Sequence, residues 1–134
     1  MDVGAKVLLS LEDKTIADKF PKHWQILEEP VEDIHSLIYY SKLVISSGDS
    51  MAREGAMLGV PSVYCGIRKM RANKLLMDLG LLEHLPQETA IPFINENIQR
   101  ELDVNKQTTV RKQLLENWDD MNAFMKKQII NYKK

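Results

Sequence analysis

One cysteine and three histidines stand among 134 residues, and no apolar run comes near the roughly 20 residues that span a bilayer. Each scarcity removes a class of protein. The lone Cys65 excludes an intramolecular disulfide framework and fits a reducing cytoplasm. It ends an apolar run, so it reads as a buried structural thiol rather than a nucleophile. His23, His35 and His84 are far apart and follow no metal-ligand spacing, so no zinc site and no cofactor are expected. An excess of one charge is missing too: 18 basic against 19 acidic residues leave a net charge of -1. That balance gives no reason to expect nucleic-acid or membrane-surface binding. The opening MDVGAKVLLSLEDK holds charges close around a short apolar run and lacks the layout of a signal peptide. The expectation is a cytoplasmic protein with no membrane span. Neither a Walker lysine nor a G-x-S-x-G elbow occurs, which disfavours NTPase and hydrolase readings. Tyr39-Tyr40 lacks the basic flanks of a nucleic-acid platform.

What is present is the material of one globular domain, 44% hydrophobic and 28% charged, long enough to bury a core without staples. Short apolar runs at 6–11, 24–27, 43–46 and 61–65 read as buried strands. Between them, 12–20, 33–41 and 50–58 carry apolar residues at helical spacing, and 71–79 reads as a helix closed by Gly80. Residues 81–85 fit a short edge strand. This alternation predicts an α/β fold with a Rossmann-like parallel sheet, helices on both faces and right-handed crossovers. That core takes residues 1–92, and a helical segment of the same domain takes 93–134. In the latter, 93–102 reads as one helix. Val110, Leu114, Trp118, Met121, Met125 and Ile129 then mark a long amphipathic helix. Its stripe fits packing on the parent sheet, or a face for a second domain or partner chain.

The turn Ser46-Ser47-Gly48-Asp49-Ser50 falls at the carboxyl end of the third strand, where open parallel sheets bind ligands. It leads into a helix, so free backbone N–H groups and the positive end of the helix dipole should meet there. Gly48 can adopt positive φ and admit a ligand to the backbone, and Ser47 and Ser50 add hydroxyls. Those are the elements of an anion site. The same residues also make an ordinary helix start, with Ser50 or Asp49 as cap and Gly59 and Pro61 as the stop.

The stretch 43–66 resembles the nucleotide-sugar segment of GT-B glycosyltransferases and UDP-N-acetylglucosamine 2-epimerases. It shares with them an apolar strand, Ser47-Gly48, a helix carrying Glu54, then Gly59-Val60-Pro61 and another strand. More closely, Gly48-Asp49-Ser50-Met51, Arg53-Glu54-Gly55 and Leu58-Gly59-Val60-Pro61 resemble the domain-of-unknown-function 354 family, itself similar to the carboxy-terminal half of GT-B proteins. The resemblance covers residues 6 to 85. It implies that Ser46, Ser47, Gly48 and Ser50 line the diphosphate of a nucleotide-sugar-like small molecule. It also implies that Glu54, seven residues after Ser47, holds the ribose hydroxyls, and that Arg53 faces a phosphate or an opposing domain. Asp49 stands where the family has glycine, and a carboxylate beside a diphosphate costs Coulomb energy unless it turns outward.

Arg68, Lys69, Arg71 and Lys74 follow the fourth strand at the same sheet edge. Arg68 is the one that completes the candidate set, with Asn73 as a further polar contact; a solvated loop is the other account of the cluster. By the resemblance, 6–11 matches a second strand rather than a first. The expectation is therefore a fragment of a glycosyltransferase or epimerase, incomplete as a catalyst, whose partner is an amino-terminal GT-B half or a second protomer. The alternatives are a non-catalytic interaction or oligomerisation module built on the same fold, and a regulatory domain for another anion.

Overall fold

The computed structural model describes residues 4–132, so the outer ends of the two segments, 1–3 and 133–134, lie outside the described residues. Strand β1 (Leu8–Leu9) pairs in parallel with β2 (Gln25–Ile26). The N–H groups of Gln25 and Leu27 donate to the carbonyls of Val7 and Leu9 at 3.0 and 2.9 Å. The connection is a 3-10 helix, Lys14–Lys19, rather than an α-helix. Asp13 starts it by accepting from the Thr15 N–H and hydroxyl, and the Phe20 and Trp24 rings stack beyond its end.

Helix α1 (Ile34–Tyr39) is capped by Asp33, whose carboxylate accepts from the Ser36 N–H at 3.0 Å. It leads into β3 (Val44–Ser46), then α2 (Asp49–Met57), β4 (Ser62–Tyr64), α3 (Arg71–Asp78) and β5 (Glu83–His84). The three strands form a parallel sheet in the order β3-β4-β5, with Val44 opposite Ser62 and Val63 opposite Glu83. The fold is therefore α/β, with parallel strands and surrounding helices; its strands form two hydrogen-bonded sets, β1-β2 and β3-β4-β5. The 81–85 segment supplies the edge strand that its sequence predicts.

Strand β4 is buried along its whole length, as the central strand of a covered sheet should be. Helix α2 lies across β3 and β4 and touches α1 on one flank and α3 on the other. Ala52 and Ala56 face Tyr64, Leu76 and Leu82 in one core cluster, while Ile38, Val44 and Val60 form a second under α1. A Cβ on Gly55 would fall 2.5 Å from Ser62 Oγ and 3.0 Å from Val44 Cγ2, so only a residue without one lets the helix lie this close. The same geometry ends α2 and α3. After α2, Gly59 N–H donates to Ala56 and Val60 N–H to Gly55; after α3, Gly80 donates to Met77 and Leu81 to Leu76. Both are paired carbonyl caps turned by a left-handed glycine.

Beyond the sheet the helices differ from their sequence expectation. Helix α4 spans Gln87–Ile98 and so begins before Pro92, which sits inside it. Pro92 removes only the hydrogen bond to the Glu88 carbonyl, and both residues are exposed, so water can take that acceptor. The residue 92/93 division therefore falls within α4. The C-terminal helical run occupies 104–131 with one interruption, as α5 (Val104–Asn117) and α6 (Met121–Asn131). Trp118 is extended, and the Asp120 carboxylate restarts the helix by accepting from the N–H groups of Asn122 and Ala123. Among the described residues of this run, the buried ones are Gln107 and Val110 of α5, which cover Gly59. Of the amphipathic stripe, Val110 is buried and Leu114 half-buried, while Trp118, Met121, Met125 and Ile129 are exposed, so packing of the whole stripe on the sheet is not what the structure has.

Gly59 and Gly80 share a left-handed backbone but not their surroundings. A Cβ on Gly59 would lie 2.7 Å from the Cα of Gln107, whereas one on Gly80 meets nothing within 4 Å. Gly80→Ala should cost about 1 kcal/mol from backbone conformation alone. Gly59→Ala should cost roughly 3 kcal/mol, because α5 must also shift. Urea unfolding of the two variants checks the difference; equal losses would mean that α5 does not dock as described.

Candidate functional site

The candidate site is built where β3 stops. Ser46 closes the strand, its carbonyl accepting from Cys65 N–H at 2.9 Å and its hydroxyl from Gly48 N–H at 3.0 Å. Ser46 therefore shapes the turn. Gly48 is the residue before the first turn of α2, with φ -88° and ψ 131°. That is an extended conformation open to any residue, so the left-handed freedom expected of Gly48 is not used. A Cβ there would meet only Ser46 Oγ, at 3.5 Å. No side chain caps α2, contrary to the expectation for Ser50 or Asp49. Both lie inside the helix, and Ser47 and Ser50 are exposed at its mouth.

Asp49 turns along the helix instead. Its carboxylate accepts from Arg53 Nη1 at 2.6 Å, with both side chains mostly shielded from solvent. The hydrogen bond from Arg53, the Arg53 charge and the more distant charge of Arg68 hold the Asp49 carboxyl below its ordinary range, against the opposing effect of burial. The same Nη1 donates to Asn73 Oδ1 at 3.0 Å, and Nη2 lies 3.5 Å from Ser50 Oγ. Arg53 thus ties α2 to α3. Asn73 is 2% exposed and its Nδ2 has no hydrogen-bond partner among the described residues.

Glu54 lies on the other flank of α2. Its carboxylate is 3.4 Å from His35 Nε2 of α1, and both side chains are substantially exposed. The structure therefore gathers Ser46, Ser47, Gly48, Ser50 and Arg53 at one helix start, with Arg68 within electrostatic reach, and sets Glu54 toward α1. Lys74 pairs with Asp78 on its own helix. Cys65 is half-buried, and burial pushes its thiol up, away from thiolate chemistry. Among the described residues no group of three or more His, Cys, Asp or Glu could hold a metal ion.

The facing wall comes from residues whose joint role the sequence does not announce. The Arg68 N–H donates to Tyr64 Oη at 3.1 Å, and His84 Nε2 to the Gly66 carbonyl at 2.7 Å. The Tyr64 and His84 rings lie 4.8 Å apart. A Cβ on Gly66 would fall within 2.5 Å of the Tyr64 ring, so the glycine makes room for it. Tyr64 and His84 thereby fix the loop that carries Arg68. The available signal was positional: Tyr64 ends β4 and His84 ends β5, the carboxyl edge shared with the serine turn.

The Asp49–Arg53 contact has a defined pH dependence. A carboxyl held below its ordinary value of about 4 stabilises the fold fully above that pH, and the contribution fades as pH falls through the lowered folded value. Asp49→Asn should melt below the wild type at pH 7, and the Tm gap should narrow as pH is lowered past the ordinary carboxyl value. Thermal melts across that range test it; a gap independent of pH would assign the loss to packing.

The match with a known family runs through both parts of the chain. The family described as "Protein of unknown function (DUF354)" matches residues 6–134, so it takes in α4, α5 and α6 as well as the stretch 6–85 that carries the motif. No curated protein and no solved structure matches the chain. Among the described residues, no helix is long and apolar enough to cross a membrane. Matched from β1 to its C-terminus, the chain belongs to the DUF354 family.

Proposed function

We propose that the chain binds the diphosphate of a nucleotide sugar at the start of α2, as the donor-binding half of a GT-B-type glycosyltransferase or sugar epimerase completed by a second domain. The observation that carries this reading is the uncapped start of α2 at the carboxyl end of β3. Donors at a helix start with no side-chain acceptor favour an anion, and the dipole adds to the attraction. Glycine at 48 is demanded neither by backbone angle nor by packing, which leaves room for a ligand against the backbone. Asp49 does not oppose this, because its charge is spent on Arg53. Ser47 and Ser50 would donate hydroxyl hydrogens, Arg68 would supply positive charge from the facing loop, and Glu54 would accept from the ribose hydroxyls with His35 beside it.

The test is a calorimetric titration with UDP and with inorganic phosphate. Glu54→Ala should weaken UDP binding about tenfold, the loss of one or two hydrogen bonds to a charged acceptor, and leave phosphate unchanged. Equal loss for both would remove Glu54 from the ribose, and no UDP binding by the wild type would end the reading.

A second reading, an interaction module, has its own observation. No residue of α6 is buried, and Met121, Phe124, Met125, Ile129, Ile130 and Tyr132 are all exposed. Contiguous apolar surface of this kind marks a contact face. If that face alone is the function, light scattering should show association that Phe124→Glu with Ile129→Glu abolishes, with UDP having no effect.

A further inference from the structure

The loop between β4 and α3 is held from beneath, by backbone contacts to buried rings, and not by its own side chains. Ile67 is 96% exposed, and Arg68, Lys69 and Met70 are exposed with it. A loop whose side chains bury so little gains almost nothing from the core, so its order depends on anchors. Two are present. The Gly66 carbonyl meets His84 Nε2 at 2.7 Å, and the Arg68 N–H donates to Tyr64 Oη at 3.1 Å. A carbonyl only accepts, so His84 Nε2 carries the proton.

The two anchors have different supports. Tyr64 is 1% exposed and packed with Ala52, Ala56, Leu76 and Leu82, so the core fixes it whatever the loop does. His84 belongs to neither core cluster; it is half-buried at the end of β5, with its ring 4.8 Å from that of Tyr64. What its imidazole adds beyond that ring contact is the hold on Gly66, two residues before Arg68. Arg68 is close enough for its charge to act on Asp49 in the first turn of α2. A loop tied down on both sides of Ile67, yet contributing little to the core, is ordered before any ligand arrives.

We infer that His84 is a positioning residue for the anion at the head of α2. Its hydrogen bond to Gly66 holds the loop so that Arg68 keeps its guanidinium beside that anion, and His84 itself touches no ligand. The identity of the anion rests on the nucleotide reading above. The placement of Arg68 does not, because Asp49 senses it with no ligand present.

The experiment applies two readouts to the full chain. His84→Phe keeps a ring against Tyr64 and removes the donor, whereas His84→Gln keeps a donor; His84→Leu replaces His84→Phe if the latter does not fold. The Asp49 carboxyl is titrated by carbon NMR without ligand. Arg68→Ala and His84→Phe should each raise its pKa, the double variant should add nothing to Arg68→Ala, and His84→Gln should match the wild type. Calorimetry at pH 7 then compares inorganic phosphate with UDP. His84→Phe should weaken both by roughly threefold to fivefold, the scale of one exposed charge contact, and should weaken neither once Arg68 is alanine. An Asp49 titration that ignores either single variant overturns the inference. So does a loss of affinity in His84→Phe that persists without Arg68, the mark of a merely structural role. If the wild type binds neither ligand while the Asp49 titration couples His84 to Arg68, the nucleotide reading falls and the placement of Arg68 by His84 stands.

Discussion

The close seating of α2 on β3 and β4 is the contact on which the rest of the molecule depends. It requires Gly55 over Val44 and Ser62, and small Ala52 and Ala56 against Tyr64 and Leu76. A larger side chain at any of the three would lift the helix, because a close-packed interior has no slack to absorb even one methylene. Seated there, α2 puts its first turn at the carboxyl end of β3 and its last at the amino end of the sheet. Gly59, one step past that last turn, then receives Gln107 and Val110 of α5. One helix position therefore sets both ends of the domain. Arg53 and Glu54, adjacent in sequence, diverge because neighbours on a helix point about 100° apart: one reaches α3, the other α1.

The electrostatics at the head of α2 follow from that placement. Asp49 enters the first turn, where the dipole favours a carboxylate, and Arg53 one turn later meets it at i,i+4 spacing. The pair cancels charge that would otherwise repel or compete for an incoming anion. It also fixes Arg53 against Asn73, so the guanidinium acts first as a brace between α2 and α3. What remains directed at solvent is backbone N–H, two serine hydroxyls and the side chain of Arg68. That combination attracts an anion by oriented dipoles more than by net charge.

Much of the fold was legible in the sequence because strand and helix alternate with short apolar runs, and helix stops carry their own chemistry. Gly59 and Gly80 end α2 and α3 where the residues say they should. The misreadings have identifiable causes. Pro92 looked like a boundary, yet its place near the start of α4 and on the surface makes its missing donor cheap. The stripe from Val110 to Ile129 keeps helical spacing across Trp118, so periodicity alone could not see the break that Asp120 makes and caps. The candidate residues around the serine turn were brought together because they are local in sequence. Tyr64, Gly66 and His84 were not seen as a unit because their contact is made by strand pairing, and parallel pairing leaves no short-range signal. The direction of Asp49 was equally out of reach, since a first-turn aspartate can cap or can pair, and only the position of Arg53 and Asn73 decides.

The two ends of the sheet differ in what the fold leaves unsatisfied. At the carboxyl end the surplus is of donors: helix N–H groups without a side-chain cap, with hydroxyls beside them. The helix dipole makes that end positive without spending a cation, so an acceptor-rich ligand gains there even where the local ion pair is closed. At the amino end the dipole of α2 runs the other way, and its last carbonyls are already taken by Gly59 and Val60. The charge there comes from side chains of both signs, Lys42, Arg100 and Lys106 beside Glu101 and Asp103, with the start of α5 adding its positive end. The Gln107 amide is turned to donate to the Tyr39 carbonyl, a contact that holds α5 to α1. The donor end of that amide is fixed by packing, and its Oε1 is left without a hydrogen-bond partner among the described residues, so the fold gives up one buried acceptor to hold α5 in place.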